Sequence, residues 1–404
     1  VTLPIVVTQA KCSCNNGVNA EVDNVDDMMG RVLVNGAPGI PAGTSVDRKV
    51  LNSLVKSKTK RVVVRSPLTC QAKEGVCAEA AGLGNDGKFP PVGEAVGLTA
   101  AQALSEPITQ GSLNTKHTGG MYSDKTTFAG FNVINQIMQS PSTFPNRASV
   151  AEIFGTVDKI EEAPQGGSFI YVDDHRHYVL PGFEASVKVG EKVEPGDQLS
   201  EGIVDVKDII RLRGLGEGRK HYVDRLEQAF GDSGMQVDRR NLEYLARGAL
   251  DQVRVTGNEG LGDNLPDDLV SYNKLNHGYN PGSSSKVTSA DASVGRYLET
   301  PALHYSIGTK LTPRMVSDLE DSGVKRVFTS EEKPRFEPLM TMLSRATKHN
   351  EDWLAKMHNT YLADSLKNDS VIGADTNIDQ NVHFAPRLAY GKDFGDKAKT
   401  TGKF

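Results

Sequence analysis

The sequence predicts an α+β chain built from several irregular modules rather than one regular layered domain. Three observations lead there. Helix-type and strand-type periodicities succeed one another unevenly along the 404 residues. Forty glycines and 19 prolines cut the chain into short elements. A hydrophobic content of 38% with only 6% aromatics is lean for one large core. The modules are a cysteine-containing region with a small α/β unit over 1–92, a helical hairpin with its linker over 93–147, a β-rich barrel- or sandwich-like module over 148–206, and a helical region over 207–255. A divergent remainder over 256–404 holds a second small α/β unit and a helical, polar end.

The N-terminal stretch Ile5-Val6-Val7 reads as a strand, followed by a polar loop from Asn15 to Asp27. Residues 43–64 then form a helix with Val50, Leu51, Leu54 and Val55 on one face and a strand Val62-Val63-Val64. The same pattern returns at 308–329, where Thr312-Pro313 is a good cap, Met315, Val316 and Leu319 mark the apolar face, and Lys325-Arg326-Val327 mirrors Lys60-Arg61-Val62. Two copies are too few for a solenoid and read as two separate small modules.

Between 93 and 120 the pattern is two helices in series. Glu94 to Leu104 is rich in Ala and Leu, Ser105 is a cap, and Pro107 suits a first helical turn. Ile108 to Thr118 is a poor helix former stopped by Gly119-Gly120. Leu113 and His117 share one face of it, and Gln110 and Asn114 the neighbouring face. Spacing alone says no more than a surface hairpin with a solvated histidine.

Further on, Pro141 and Pro145 mark a linker, and residues 148–206 read as strands: 151–157, 168–172, 177–180 and 185–189. Asp173-Asp174-His175-Arg176-His177 fits a hairpin tip better than a metal site, because alternation puts these side chains on opposite faces. Residues 207–255 read as helical, 256–300 as a Gly-, Asn- and Ser-rich loop or mobile insertion, and 336–365 as helical, before a polar end that drapes over a partner or stays disordered.

The net charge of −5 argues against a free-standing nucleic-acid binder. Two basic clusters stand out, Lys56, Lys58, Lys60, Arg61 and Arg65, then Lys207, Arg211, Arg213, Arg219, Lys220 and Arg225. A solvated face is the ordinary explanation of each. No apolar run approaches a membrane span, and no signal peptide opens the sequence. The four cysteines, Cys12, Cys14, Cys70 and Cys77, all lie early in the chain, which leaves free thiols and a metal site as alternatives.

The motifs at 93–120, Gly93-Glu94-Ala95-Val96-Gly97, Ala100-Ala101-Gln102, Glu106-Pro107, Thr109-Gln110, Thr115, His117 and Gly119-Gly120, resemble the trigger loop of the β′ subunit of multisubunit RNA polymerases. The resemblance extends over about residues 1–255, through Arg65-Ser66-Pro67-Leu68-Thr69-Cys70, Gly190 to Leu199, and Asp208 to Gly214. It implies an element that folds over the active site when the correct nucleoside triphosphate binds. Gln110 would face the ribose, Leu113 would pack on the base, and His117 would reach the triphosphate. Asn114 replaces the family's Arg, and Lys116, replacing an aromatic residue, would offer charge from another face.

The same resemblance implies a four-cysteine structural zinc site. The family's last Cys is Ala80 here, and Cys14 has no counterpart. Either Cys14 replaces the missing ligand, giving Cys12, Cys14, Cys70 and Cys77, or the site is degenerate. Arg211, Arg213, Arg219 and Lys220 would lie in the clamp-side region near downstream DNA and meet its phosphates.

The family's Mg²⁺-binding Asp motif and bridge helix are absent from the sequence. The expectation is therefore the C-terminal half of a split β′, similar to polymerases of giant bacteriophages. Mg²⁺ would be held by the chain carrying the N-terminal half. Other implied partners are a β-type subunit or its halves, DNA template, RNA transcript, NTP and a promoter-specificity subunit, with no membrane. The implied location is intracellular, in an infected bacterium or packaged in the virion if phage-encoded. The rival is a non-catalytic β′ derivative that binds and regulates a host polymerase.

Overall fold

The computed structural model describes residues 5–12, 15–117, 131–141, 143–144, 146–257, 260–262 and 264–340, with Asp364, Lys367 and Val371. For 109–117, 131 and 132 it describes the backbone alone. In chain order the first elements are β1 (Val7–Gln9), β2 (Val18–Glu21), α1 (Val25–Met28), α2 (Arg48–Lys56), β3 (Arg61–Val64), β4 (Val76–Cys77) and α3 (Ala78–Ala81). There follow α4 (Val96–His117), α5 (Phe131–Gln139), β5 (Gly155–Glu162), β6 (Ser168–Val172), β7 (His175–Val179) and β8 (Lys192–Val193). Next come α6 (Val206–Arg213), α7 (Leu215–Asp232), α8 (Arg239–Ala249), β9 (Gln252–Val255), β10 (Leu269–Ser271) and α9 (Tyr272–Gly278). The last are β11 (Lys286–Ser289), a 3-10 turn at Asp291–Ser293, β12 (Tyr297–Leu298), α10 (Pro313–Asp321), β13 (Arg326–Ser330) and β14 (Phe336–Leu339). The result is α+β with several small sheets.

The largest sheet is antiparallel, in the order β7-β6-β5-β8. Its alternate inward residues, Val157, Ile170, Val172 and Val179, form a core of their own with Val193 and Leu199. Asp173 and Asp174 alone form the β6–β7 turn, with Asp173 at φ 46. The main core runs through the rest of the chain. It joins Leu51 and Leu54 of α2, Ala101 and Leu104 of α4, Tyr222 and Leu226 of α7, Leu242 and Leu245 of α8, and Phe336 of β14.

Several expectations are corrected. Residues 18–21 form a strand inside the expected polar loop, because Val18 and Ala20 bury one face while the strand pairs with β3. The helical reading of 207–255 ends early, since 252–255 is a strand paired with β10 and β14. Within 256–300 the described residues include paired and buried elements rather than a bare loop: β10 on β9, β11 on β13, and Tyr272 and Leu275 in the main core. Residues 336–339 are strand rather than helix. The remainder of the expected helix at 341–365, Asp364 apart, lies outside the described residues.

The two α/β units are one fold repeated, and the repeat is longer than its sequence signal. Leu33 bridges Val64 as Leu298 pairs with Thr329, Val32 bridges Ser45 as Tyr297 bridges Lys310, and Ala37 bridges Ile40 as Ala302 bridges Tyr305. The spacing between copies is constant through these pairs and through both helices. Asp47 caps α2 by accepting from Lys49 N and Val50 N, and Thr312 caps α10 by accepting from Met315 N. The copies are not separate, however. Val63 of the first sits in the core of the second with Leu298, Leu311 and Leu319. Asn19 Nδ2 donates to Asp318 Oδ1 at 3.0 Å.

Candidate functional site

The start of α4 is tied down by backbone. Val7 N–H donates to Glu94 O, Gly93 N–H to Val7 O, and Gly97 N–H to Ile5 O. Val96 and Ala100 then pack in a small core with Cys12, Cys70, Cys77, Ala80 and Tyr244. One turn later Ala101 and Leu104 enter the main core, against which Ile108 also packs.

That apolar stripe explains why α4 is one helix and not two. Ala101, Leu104 and Ile108 recur at helical spacing across Pro107, so burial holds the helix through a residue that removes a hydrogen bond and costs about 3 kcal/mol. Ser105 is not a cap: its hydroxyl donates back to Ala101 O at 2.6 Å. The backbone of Gln110, Leu113, Asn114, Lys116 and His117 continues the helix. Their side chains lie outside the described residues, as do residues 118–130.

Beside this helix base sits a cysteine centre. The sulfurs of Cys12, Cys70 and Cys77, all buried, lie within 4.8 Å of one another. Cys12 is disulfide-bonded in this structure, so the three sulfurs could serve a metal only in the reduced chain. There tetrahedral thiolate coordination with bonds of about 2.3 Å would set them about 3.8 Å apart. The cluster's hydrogen bonds also suit thiolate. Cys77 N–H donates to Cys70 Sγ at 3.3 Å and Ala80 N–H to Cys77 Sγ at 3.4 Å. The neighbouring Cys77 thiol, helped by the Arg247 charge, brings Cys70 down to about 6 against the opposing effect of burial. Cys77 is correspondingly raised, by its contact with Cys70 and by burial. Cys14 lies outside the described residues.

Helix α8 clamps this centre. Arg247 Nη1 donates to Pro67 O at 2.7 Å and Cys70 O at 2.9 Å, and Nη2 to Gly75 O at 2.8 Å. One turn earlier Glu243, fully buried, takes a two-pronged pair from Arg31 at 2.7 Å on each oxygen and a bond from Ser66 Oγ at 2.8 Å. Asp27 completes the pairing of Arg31. The first α/β unit, the cysteine loop and α8 are thereby one body under α4.

Arg247 and Glu243 were not singled out from the sequence. The available signal was their four-residue spacing on the face of α8 that carries Leu242, Leu245, Ala246 and Ala249, where a charge must find a buried partner. His304 and Glu217 were missed too. Their Nε2 and Oε1 atoms lie 2.5 Å apart, joining the second α/β unit to α7.

The basic residues named for DNA divide. Arg219 is buried and turned inward, donating to Leu250 O, Leu68 O and Asp251 Oδ1. It is corrected to a structural residue, since its helical position faces the core. Arg213 is held by Asp197 at 2.6 Å and Pro195 O at 2.6 Å. Arg211 is exposed but paired with Glu152 at 2.8 Å. Lys220 is half-buried. In the first basic cluster Arg65 is buried and pairs with Glu79 at 3.2 Å. Among the described residues no helix is long and apolar enough to cross a membrane.

A family model described as RNA polymerase Rpb1, domain 5, matches residues 23–173, a span that holds the cysteine loop and α4. DNA-directed RNA polymerase subunit β′ of Clavibacter michiganensis subsp. michiganensis is 32% identical over 286 residues, 68% of this chain and 22% of that protein. The β′ subunit of Leifsonia xyli subsp. xyli is 30% identical over 307 residues, 69% of this chain and 24% of that protein. That of Bifidobacterium animalis subsp. lactis is 30% identical over 298 residues, 67% and 22% of the two. The chain spans under a quarter of the length of these relatives. It is a relative of a segment of the β′ subunit of DNA-directed RNA polymerases, with the Rpb1 domain 5 region at residues 23–173.

Proposed function

We propose that this chain serves as the β′ C-terminal part of a multisubunit DNA-directed RNA polymerase and supplies the element that closes on the incoming NTP. One observation carries the reading. The motif-bearing residues from Gly93 to His117 fall within the family match, and from Val96 onward they lie on a helix whose first turns are fixed to the chain's base. Its later turns are rich in Gly, Ser, Asn and Thr, which hold a helix weakly. A fixed stalk with a weak distal helix is what a substrate-driven closure needs.

In this role Gln110 contacts the ribose, Leu113 packs on the base, and Asn114 and Lys116 lie beside the phosphates. His117 reaches the triphosphate, where it donates a proton to the leaving pyrophosphate or places charge beside it. The charge stabilisation would come from Mg²⁺ held by a partner chain. This chain's part is positioning and the exclusion of water. Arg211 and Lys220 remain candidates for downstream DNA phosphates. In the reduced chain Cys12, Cys70 and Cys77, with Cys14 as fourth ligand, would hold a structural zinc that fixes the stalk's base.

The test is purification of the tagged chain from its native source, with mass spectrometry and a promoter-independent RNA synthesis assay. The expected partners are chains bearing the β′ Mg²⁺-binding Asp motif and β-type sequences, in an RNA-synthesising complex. Recovery with an intact, complete host polymerase whose synthesis it inhibits would establish the regulatory alternative instead.

A further inference from the structure

The structural repeat provides an internal control for one surface. In the first copy, Arg48, Lys49, Lys56, Lys58, Lys60 and Arg61 are all exposed on α2 and the turn after it. No acidic residue occurs between Asp47 and Glu74. Among the described residues, only Arg61 of the six makes an ion pair, a 3.7 Å contact with the exposed Glu21. The second copy builds the same backbone with half of this charge: it keeps Arg314, Lys325 and Arg326 opposite Lys49, Lys60 and Arg61 and loses the other three cations. Where the first has Arg48, Val55, Lys56 and Lys58, it has Pro313, Glu320, Asp321 and Gly323. The fold therefore does not need Arg48, Lys56 or Lys58.

Lys58 makes the point most sharply. It sits at φ 57 after the helix, where its counterpart Gly323 sits at φ 83. A side chain is strained in this left-handed region, and glycine is not. The chain carries lysine there against its own local preference.

The second copy also shows what this helix face meets. Arg314, the counterpart of Lys49, places Nη1 2.7 Å from each carboxylate oxygen of Asp197, and its backbone N–H donates to Glu194 Oε1 at 3.2 Å. Among the described residues the corresponding Lys49 of α2 makes no ion pair, which leaves this face open to an anion from outside the chain.

We propose that the α2 face and the α2–β3 turn form a binding surface for the phosphodiester backbone of nucleic acid. Six cations without interleaved acids, beside the hydroxyl and amide groups of Asn52, Ser53 and Ser57, suit sequence-independent phosphate contact. The face lacks the apolar groove a docked peptide needs, Val55 being the exposed large aliphatic side chain on α2. The choice of nucleic acid over an acidic protein rests also on the polymerase reading.

The test uses the second copy's own residues. The full chain and its Arg48→Pro, Val55→Glu, Lys56→Asp, Lys58→Gly variant are titrated onto a short DNA duplex and a short single-stranded RNA between about 50 and 200 mM salt, by fluorescence anisotropy. The backbone accepts these residues at the second copy, so the urea midpoint should hold. A second variant, Lys49→Ala with Lys60→Ala, serves if it does not. Wild type should bind at least one probe, and the probe bound more tightly identifies duplex or single strand. The four-residue variant should weaken duplex binding about tenfold or more and reduce the salt slope by about 2 to 3, as each lost phosphate contact removes about 0.9. Absence of wild-type binding at low salt, or unchanged affinity and slope in a folded variant, overturns the proposal. Equal binding of polyglutamate, lost in the same variant, overturns it in favour of an acidic protein. Because no catalysis is measured, failure here and failure of the polymerase reading are separable.

Discussion

Replacing Arg247 by Met tests whether α8 fastens the cysteine loop to the base of α4. The guanidinium is buried and serves three carbonyls, on Pro67, Cys70 and Gly75, at 2.7 to 2.9 Å. Met keeps most of the packing volume and removes every donor. Each buried acceptor left unpaired costs about 1–3 kcal/mol. Against this, the variant escapes the cost of keeping a guanidinium away from water, a term of several kcal/mol in the folded state. Water entering the vacated polar site also satisfies part of the loss. The net expectation is about 3 kcal/mol of destabilisation. With a urea slope of about 3 kcal/mol/M, the midpoint falls by about 1 M. A thiol-reactive probe should label Cys70 and Cys77 faster in the variant, because the loop that covers them is released. An unchanged midpoint together with unchanged thiol labelling refutes the clamp.

Three further outcomes follow from the same geometry. Glu243→Gln leaves buried Arg31 with Asp27 as its remaining carboxylate and should cost about 3 kcal/mol in urea unfolding, the low end for a broken buried pair, whereas an exposed pair such as Lys333–Glu337 should cost under about 1 kcal/mol. Burial pushes Glu217 up, but the His304 hydrogen bond and charge together with the Lys220 and Arg213 charges bring it down to about 2. A depressed carboxylate stabilises the fold above its unfolded value of 4.5, and that contribution is lost as pH falls from 4.5 toward 2. Glu217→Gln should therefore flatten the loss of stability with acid in that window, read as unfolding midpoints against pH. Zinc should copurify at one equivalent with the reduced chain, and Cys70→Ser should remove it and loosen the start of α4, measured by metal analysis and hydrogen exchange at residues 96–104.

The sequence was most readable where signals were local. The cap at Thr312-Pro313, the buried Leu51 and Leu54 of α2 and the turn at Asp173-Asp174 depend on neighbours in the chain, and composition reports them directly, although Val55, expected on the same face of α2, is exposed. It was least readable where distant partners decide. Residues 256–300 look like loop by composition, yet Val270, Tyr272 and Leu275 are buried against β9, α7 and their neighbours. Pro107 looks like the start of a new helix, but the burial of Ala101, Leu104 and Ile108 carries one helix through it. Arg219 and Arg211 look alike in sequence, and only their positions on α7 and α6 separate a core residue from an exposed one. The cysteine centre was half legible. Cys70 and Cys77 are close in sequence, whereas Cys12 reaches them because β1 pairs in parallel with β4.

The central claim is that the helix beginning at Val96 closes on a nucleotide. Its most direct test is the rate of single-nucleotide addition by the assembled complex carrying His117→Ala. The expected result is slowing by about tenfold or more without abolition, since a positioned proton donor commonly contributes about 10²–10⁴ and metal-held chemistry persists without it. Addition at the wild-type rate would contradict the account.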